Sequence, residues 1–284
     1  MTAGFAWVTP TGPAFRVGRF PDPWAWPDWA YATGATFGNR WDDPRGQYRV
    51  LYASSQRVGA FVETLARFRP DLTVVAGLAE IAGEDDGPPP GVVPARWLAG
   101  RRVGEAELSG RFVDVGDARS LATLRTAAAA AAIHHGLAEI DAATIRLTAP
   151  RGFTQEISRL VYASPSDEGA FAGICYQSRL GDQFVNWAIF EPPEDASPLV
   201  AGEDEPIDPE DPDFRAALEL LDAGADIHGE SRRAEMTSLV HSELLPVLDA
   251  CGTIDSLRKS DAGERMRKRS LTSRAALGLL SSEC

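Results

Sequence analysis

The chain has 284 residues, a length that suits one large domain or two small ones. Hydrophobic residues make up 44% and charged residues 24%, as in a globular protein, while 28 Lys and Arg against 41 Asp and Glu leave a formal net charge of −13. That acidity argues against general nucleic-acid binding, which rests on neutralising phosphates. The longest apolar run, alanines 127–132 extended by Ile133, is too short for a bilayer, and MTAGFAWVTPTG lacks a basic and then apolar leader. Cys175, Cys251 and Cys284 show no metal-ligand spacing and no disulfide framework, and four histidines are scattered. The expectation is a cytoplasmic, metal-free protein with neither membrane nor nucleic acid as partner.

Five of the seven tryptophans (Trp7, Trp24, Trp26, Trp29 and Trp41) fall in the first 41 residues. Three prolines in PDPWAWPDWA exclude a regular helix there, so the rings form an irregular wall of the core or line a cleft. YRVLYAS (48–54) predicts a strand. SSQRVGAFVETLARF follows as a helix capped by Ser54 or Ser55, with Val58, Phe61, Val62 and Leu65 on one face. A strand is expected around Thr73 to Val75, a loop over 83–91, and an extended or hairpin region through ARWLAGRRVGEAELSGRFVDV.

Asp117 to about Glu139 predicts one helix with Asp117 as cap, and a second helix is expected near 154–162. Residues 170–177 and 184–190 read as strands around the turn Leu180-Gly181-Asp182. The run 202–213 holds seven acidic residues and three prolines and reads as a solvated linker or edge loop; DFRAALELLDAG is a short helix stopped by Gly224. Beyond 229 the composition changes. Residues 256–274 carry seven Lys or Arg against two acidic residues, and Val240, Leu244, Leu245 and Leu248 recur at helical spacing, so this extension is expected to dock as helices on the domain or on a second subunit.

Familiar catalytic patterns are missing: no G-x-S-x-G elbow, no Walker loop, no G-x-G-x-x-G after a strand and no H-E-x-x-H. His134 and His135 are adjacent in a helix, about 100° apart, and cannot chelate one metal together. Cys175 reads as a small core residue. What remains is a set of polar residues in apolar surroundings. Arg40 follows the turn GATFGN and offers a fork that fits a phosphate; Tyr52 centres a strand, Glu63 edges an apolar helical stripe, and Ser178 ends GICYQS.

The order of those four residues carries a resemblance. TFGNRWDDPRGQYRVLYASSQRVGAFVETLARF resembles the start of a RES domain, and GAFAGICYQSRLGDQFVNWAIFEPP resembles its serine segment and the strand that follows, the match running from about Phe15 to about Asp226. By position the family arginine is Arg40, the stacking tyrosine Tyr52, the glutamate Glu63 and the serine Ser178.

The resemblance implies an α+β fold similar to ADP-ribosyltransferases, with two small sheets forming a cleft flanked by helices. It implies a catalytic domain over 1–228, from whose compact pattern the chain departs in two places, an insertion at about 83–110 and the helical, partly basic extension over 229–284. It further implies an NAD-consuming enzyme, a glycohydrolase, phosphorylase or mono-ADP-ribosyltransferase, acting as the toxin of a toxin–antitoxin pair, with a protein antitoxin as partner and a homo-oligomer as a further expectation.

The residue types suit that chemistry, because cleaving the nicotinamide–ribose bond creates an oxocarbenium-like centre that a carboxylate stabilises. Arg40 would hold the diphosphate, Tyr52 would stack on the nicotinamide or its ribose, Glu63 would face the developing charge, and Ser178 would hydrogen-bond the ribose or a phosphate. Arg45 and Arg179 are second candidates for the anion, and no metal is required. The other reading is a noncatalytic nucleotide-binding or regulatory protein that has kept the cleft.

Overall fold

The computed structural model describes residues 4–226, apart from 35, 71, 74–90, 148–149, 165–168 and 193–196. The chain divides between Ile227 and His228. The expected loop at 83–91 (up to residue 90) and the whole C-terminal extension lie outside the described residues.

The described strands are β1 (Trp7–Val8), β2 (Ala14–Arg19), β3 (Val50–Ser54), β4 (Gly91–Pro94), β5 (Arg101–Leu108), β6 (Phe112–Asp114), β7 (Gly173–Ser178), β8 (Gly181–Phe190), β9 (Leu199–Pro206) and β10 (Ala223–Asp226). Eight of them form one mixed sheet in the order β1-β6-β7-β8-β3-β2-β5-β9, and β4 and β10 form a separate parallel pair. The fold is therefore α+β, but its strands are not divided into the two small sheets expected. The ten-residue β8 explains the difference: it pairs with β7 along one edge and with β3 along the other, from Val50↔Phe190 to Ser54↔Asn186, so its backbone groups join both halves.

Alternation along β8 sorts the core. Val185, Trp187 and Ile189 face one way, with Leu51, Ala53, Cys175 and Trp24. Phe184, Ala188 and Phe190 face the other way, toward the helices. On that face α1 (Arg57–Leu65) and Phe184 belong to one apolar cluster, whereas Ala188 and Phe190 belong to a second with Phe153, Ile157 and Val161. Where the clusters part, the sheet face is left open.

The helix α1 begins at Gln56, which makes no side-chain cap bond, rather than at the serines expected. Ser54 ends strand β3 and Ser55 follows it, and their hydroxyls both donate to the Val185 carbonyl. Gly59 lets the helix approach: a Cβ there would meet Ser54 Oγ at 2.4 Å. Leu72 and Thr73 have helical backbone where a strand was expected around Thr73 to Val75; Val74 and Val75 lie outside the described residues. The region ARWLAGRRVGEAELSGRFVDV contains a short helix, α2 (Ala95–Ala99), before β5 and β6, and those two strands pair with other partners rather than as a hairpin.

The long helix expected after Asp117 is two pieces, α3 (Ala118–Ala127) and α4 (Ala129–His134). Asp117 caps it as expected, accepting from Arg119 N. Ala128 bends the rod with φ −107° and ψ 8°, although hydrogen bonds continue across it from Ala128 N to Leu124 O and from Ala132 N to Ala128 O. Alanine propensity favours any helix, but burial of Leu124, Ala128 and Ala132 against one core decides where this one turns. After α4, Gly136 takes φ 72° and stops the run before Glu139. Next come α5 (Ala142–Arg146) and α6 (Arg151–Tyr162), the latter starting three residues earlier than 154.

The acidic run is not a linker: Leu199–Pro206 is the edge strand β9, paired with β5, and Asp211 caps α7 (Pro212–Leu220). Acidic side chains suit an edge strand because they discourage further pairing. The helix stop is not Gly224, which lies inside β10; Asp222, at φ 50°, makes the turn. Trp24 and Trp41 are buried walls of the core, whereas Trp7 and Trp29 are exposed. Cys175 is buried as expected. Among the described residues no helix is long and apolar enough to cross a membrane, and no group of three His, Cys, Asp or Glu is placed to hold a metal.

Candidate active site

The open part of the sheet face is a cleft of about 340 Å³. Its floor is a row across four neighbouring strands, since Phe15 pairs with Ser54, Ser54 with Asn186, and Asn186 with Tyr176. Tyr52, two residues before Ser54, shares their face. One wall is α1, on which Glu63 follows Gly59 by four residues and so projects on the same side, one turn on. The other wall is the turn carrying Asn39 and Arg40, with Arg151 at the start of α6.

That turn is clamped. Gln155 Nε2 donates to Asn39 O at 2.9 Å, Arg151 Nη1 to Gly38 O at 2.6 Å, and Ser158 Oγ to Trp41 O at 2.6 Å. The Tyr52 hydroxyl donates to Asp42 Oδ1 at 2.7 Å and accepts from Trp41 N at 2.9 Å. Burial, then the Asp42 charge, pushes the Tyr52 phenol above its usual range, so it stays a neutral donor. Burial also raises the Asp42 carboxyl, against the hydrogen bonds it accepts from Tyr52 and Asn39. Tyr52 thus presents its ring to the cleft while its hydroxyl fixes the turn that delivers Arg40.

Arg40 lies over two rings, 5.3 Å from Trp41 and 5.6 Å from Tyr176. Its Nη2 donates to the Ile145 carbonyl, and its Nε is buried with no hydrogen-bond partner among the described residues. No carboxylate among them pairs with it, and burial lowers its pKa, the sign of a cation short of stabilisation. Glu63 is the one carboxylate among the lining residues, and its Oε1 accepts from Asn186 Nδ2 at 2.8 Å.

Arg16, Arg40, Arg151 and Arg179 all line the cleft. In a chain of net −13, four guanidiniums facing one carboxylate make a local anion trap. Arg16 is an anchor beneath it: Nε donates to Pro23 O and Nη1 to Tyr52 O, each at 2.7 Å, and burial brings its pKa down to about 10.

The structure therefore brings together Arg40, Tyr52, Glu63 and Arg179. It does not bring Ser178 or Arg45 to the cleft. Ser178 is buried at the end of β7, and its Oγ accepts from Leu180 N at 2.9 Å, closing the turn that carries Arg179. Arg45 is exposed outside the cleft lining, and its backbone N donates to Asp43 Oδ1 at 3.1 Å.

Sequence reasoning missed Arg16, Arg151, Tyr176 and Asn186. Asn186 had a readable signal, an asparagine in phase with Phe184, Ala188 and Phe190 along a strand that otherwise buries apolar side chains. The two arginines had none, since each is one cation among many until the fold aims it. The sequence model of the RES domain matches residues 13–210. No curated protein and no solved structure matches the chain.

Proposed function

Because the chain belongs to the RES domain family, whose members are generally known as NAD-degrading toxins, we propose that it cleaves the nicotinamide–ribose bond of NAD in this cleft. The observation that carries the reading is the under-satisfied Arg40 guanidinium opposite a single carboxylate, Glu63. An anionic diphosphate supplies the charge that Arg40 lacks, and Arg179 and Arg151 stand ready on the same rim. The cleft volume of about 340 Å³ is at the low end of the roughly 300–1,000 Å³ of small-molecule sites, enough to enclose the reacting half of a dinucleotide while the adenosine half lies outside.

In the reaction the bond between the nicotinamide nitrogen and ribose C1′ breaks and its electron pair leaves with neutral nicotinamide. C1′ gains cationic character, which the Glu63 carboxylate stabilises. An acceptor oxygen then bonds to C1′ and gives up its proton; water yields ADP-ribose, phosphate yields the 1″-phosphate, and a protein side chain yields an ADP-ribosylated protein. Tyr52 and Tyr176 offer aromatic faces for the nicotinamide. Ser178 acts through Arg179, by holding its turn, rather than on the sugar.

The likeness to ADP-ribosyltransferases, the toxin role, a protein antitoxin and a homo-oligomer remain part of this proposal. Incubation with NAD, with and without phosphate and cell lysate, followed by mass spectrometry of the products, tests it and identifies the acceptor. Nicotinamide release is expected. A folded protein that binds NAD and releases no nicotinamide under any of these conditions moves the noncatalytic nucleotide-binding reading to the front.

A further inference from the structure

Asn186 is 1% exposed, and half of its amide has no partner. It stands on β8 where the two helix-side clusters part, with Ser54 on one neighbouring strand and Tyr176 on the other. Nδ2 donates to Glu63 Oε1. The reverse orientation would set the amide oxygen against a carboxylate oxygen, so the chemistry fixes which way the group points. Oδ1 is then a buried acceptor with no donor among the described residues. Buried acceptors are almost always satisfied, and Asn186 lines the cleft, so the missing donor belongs to what occupies it.

We propose that Asn186 reads the reacting end of the substrate, its Oδ1 accepting a hydrogen bond from the nicotinamide–ribose half while its Nδ2 holds Glu63 beside the bond that breaks. The inference rests on the NAD-cleaving reading above. Phosphates offer no donor at neutral pH, and adenine lies at the far end of the dinucleotide. The donors within reach of a residue bonded to Glu63 are the carboxamide N–H groups and the ribose hydroxyls. One residue thereby couples recognition to charge stabilisation: a ligand that satisfies Oδ1 also orders the amide that orients the carboxylate.

Two analogues separate the donors. Nicotinic acid adenine dinucleotide lacks the amide N–H groups, and the 2′-deoxy analogue of the nicotinamide ribose lacks one hydroxyl. Comparing each preference in the parent and in Asn186→Ala cancels the intrinsic reactivity of the analogues. Asn186→Ala is expected to lose about 10²-fold in kcat/KM for NAD. The parental preference for NAD over one of the two analogues should fall by at least about tenfold, naming the donor.

Asn186→Asp keeps the shape and supplies a readout that a purely structural role would not move. Protonated, its new carboxyl donates to Glu63 and still offers a carbonyl; ionised, it repels Glu63. The charged and titratable groups around it are Glu63 from α1, Tyr52 from β3, Tyr176 from β7, Arg16 beneath the cleft on β2, and the rim arginines Arg40, Arg151 and Arg179. Activity relative to the parent should therefore rise as pH falls from about 8 to about 5. A flat ratio, or an active parent whose analogue preferences both survive in Asn186→Ala, overturns the inference alone. A parent that releases no nicotinamide overturns the reading of the site, and this inference with it.

Discussion

Arg40 and Arg57 both lie about 5.3 Å from an aromatic ring, Trp41 for one and Phe61 for the other, yet their surroundings are opposite. Arg57 pairs with Asp211 at 2.5 Å, Glu205 at 2.7 Å and Asp213 at 3.2 Å, joining α1 to the acidic strand β9 and to the cap of α7. Its hydrogen bond to Asp211 raises its pKa further. Arg40 has no carboxylate partner among the described residues, and burial lowers its pKa. The same side chain is spent on cohesion at the outer edge of the sheet and held in reserve over its open face. An unspent buried charge points to a ligand; a triply paired one points to structure.

The sharpest way to break that contrast is Glu63→Gln, which removes the cleft's carboxylate at nearly constant shape. NAD turnover should fall by about 10²–10³-fold with the melting temperature unchanged, because the stabilisation is needed only in the cationic transition state. A folded variant keeping more than a tenth of the parental rate would show that Glu63 is not the carboxylate facing the reaction.

Arg40→Lys keeps the charge and loses the fork. Calorimetric titration should show NAD binding weakened by about tenfold or more. Equal affinity would make Arg40 structural and move attention to Arg179.

At the outer edge the expectation reverses. Arg57→Gln should leave turnover near parental and cost about 1–2 kcal/mol of stability, as for a network of partly buried pairs. Burial pulls the Asp211 carboxyl up, but hydrogen bonds from Arg57 and the α7 backbone outweigh it and hold the group below the usual carboxylate range. The folded chain therefore binds that proton more weakly than the unfolded one. The stabilisation is complete above about pH 4 and is lost as pH falls through the folded value. Urea melts at a series of pH values should show a shallower acid decline in Arg57→Gln than in the parent.

The smallest effect on chemistry is expected from deleting 230–284. Turnover should persist, with a change in solubility or in the mass measured by light scattering. Salt-sensitive DNA binding that vanishes with the deletion would instead give the basic stretch a nucleic-acid role.

Local signals in the sequence were sufficient for β3, β7 and β8, for the apolar face of α1 and for the cap at Asp117, because alternation, helical spacing and capping are properties of neighbouring residues. They also marked Arg40, Tyr52 and Glu63, whose order along the chain is distinctive. Ser178 was marked too, but its hydroxyl is used two residues away in its own turn, which no pattern of residue types announces. The bend at Ala128 and the recruitment of the acidic run into β9 were decided by packing and by a free sheet edge, each dependent on segments distant in sequence.

The same holds for the cleft. Its floor is a row through Phe15, Ser54, Asn186 and Tyr176, set by strand register across the sheet. Which arginines are paired with carboxylates and which are left waiting depends on charges brought together over more than a hundred residues of chain, as Arg57 and Asp213 are. Residue types alone determined what chemistry the chain can offer. Only the tertiary structure decided which of those groups meet, because desolvation and pairing are properties of the folded neighbourhood and not of the residue.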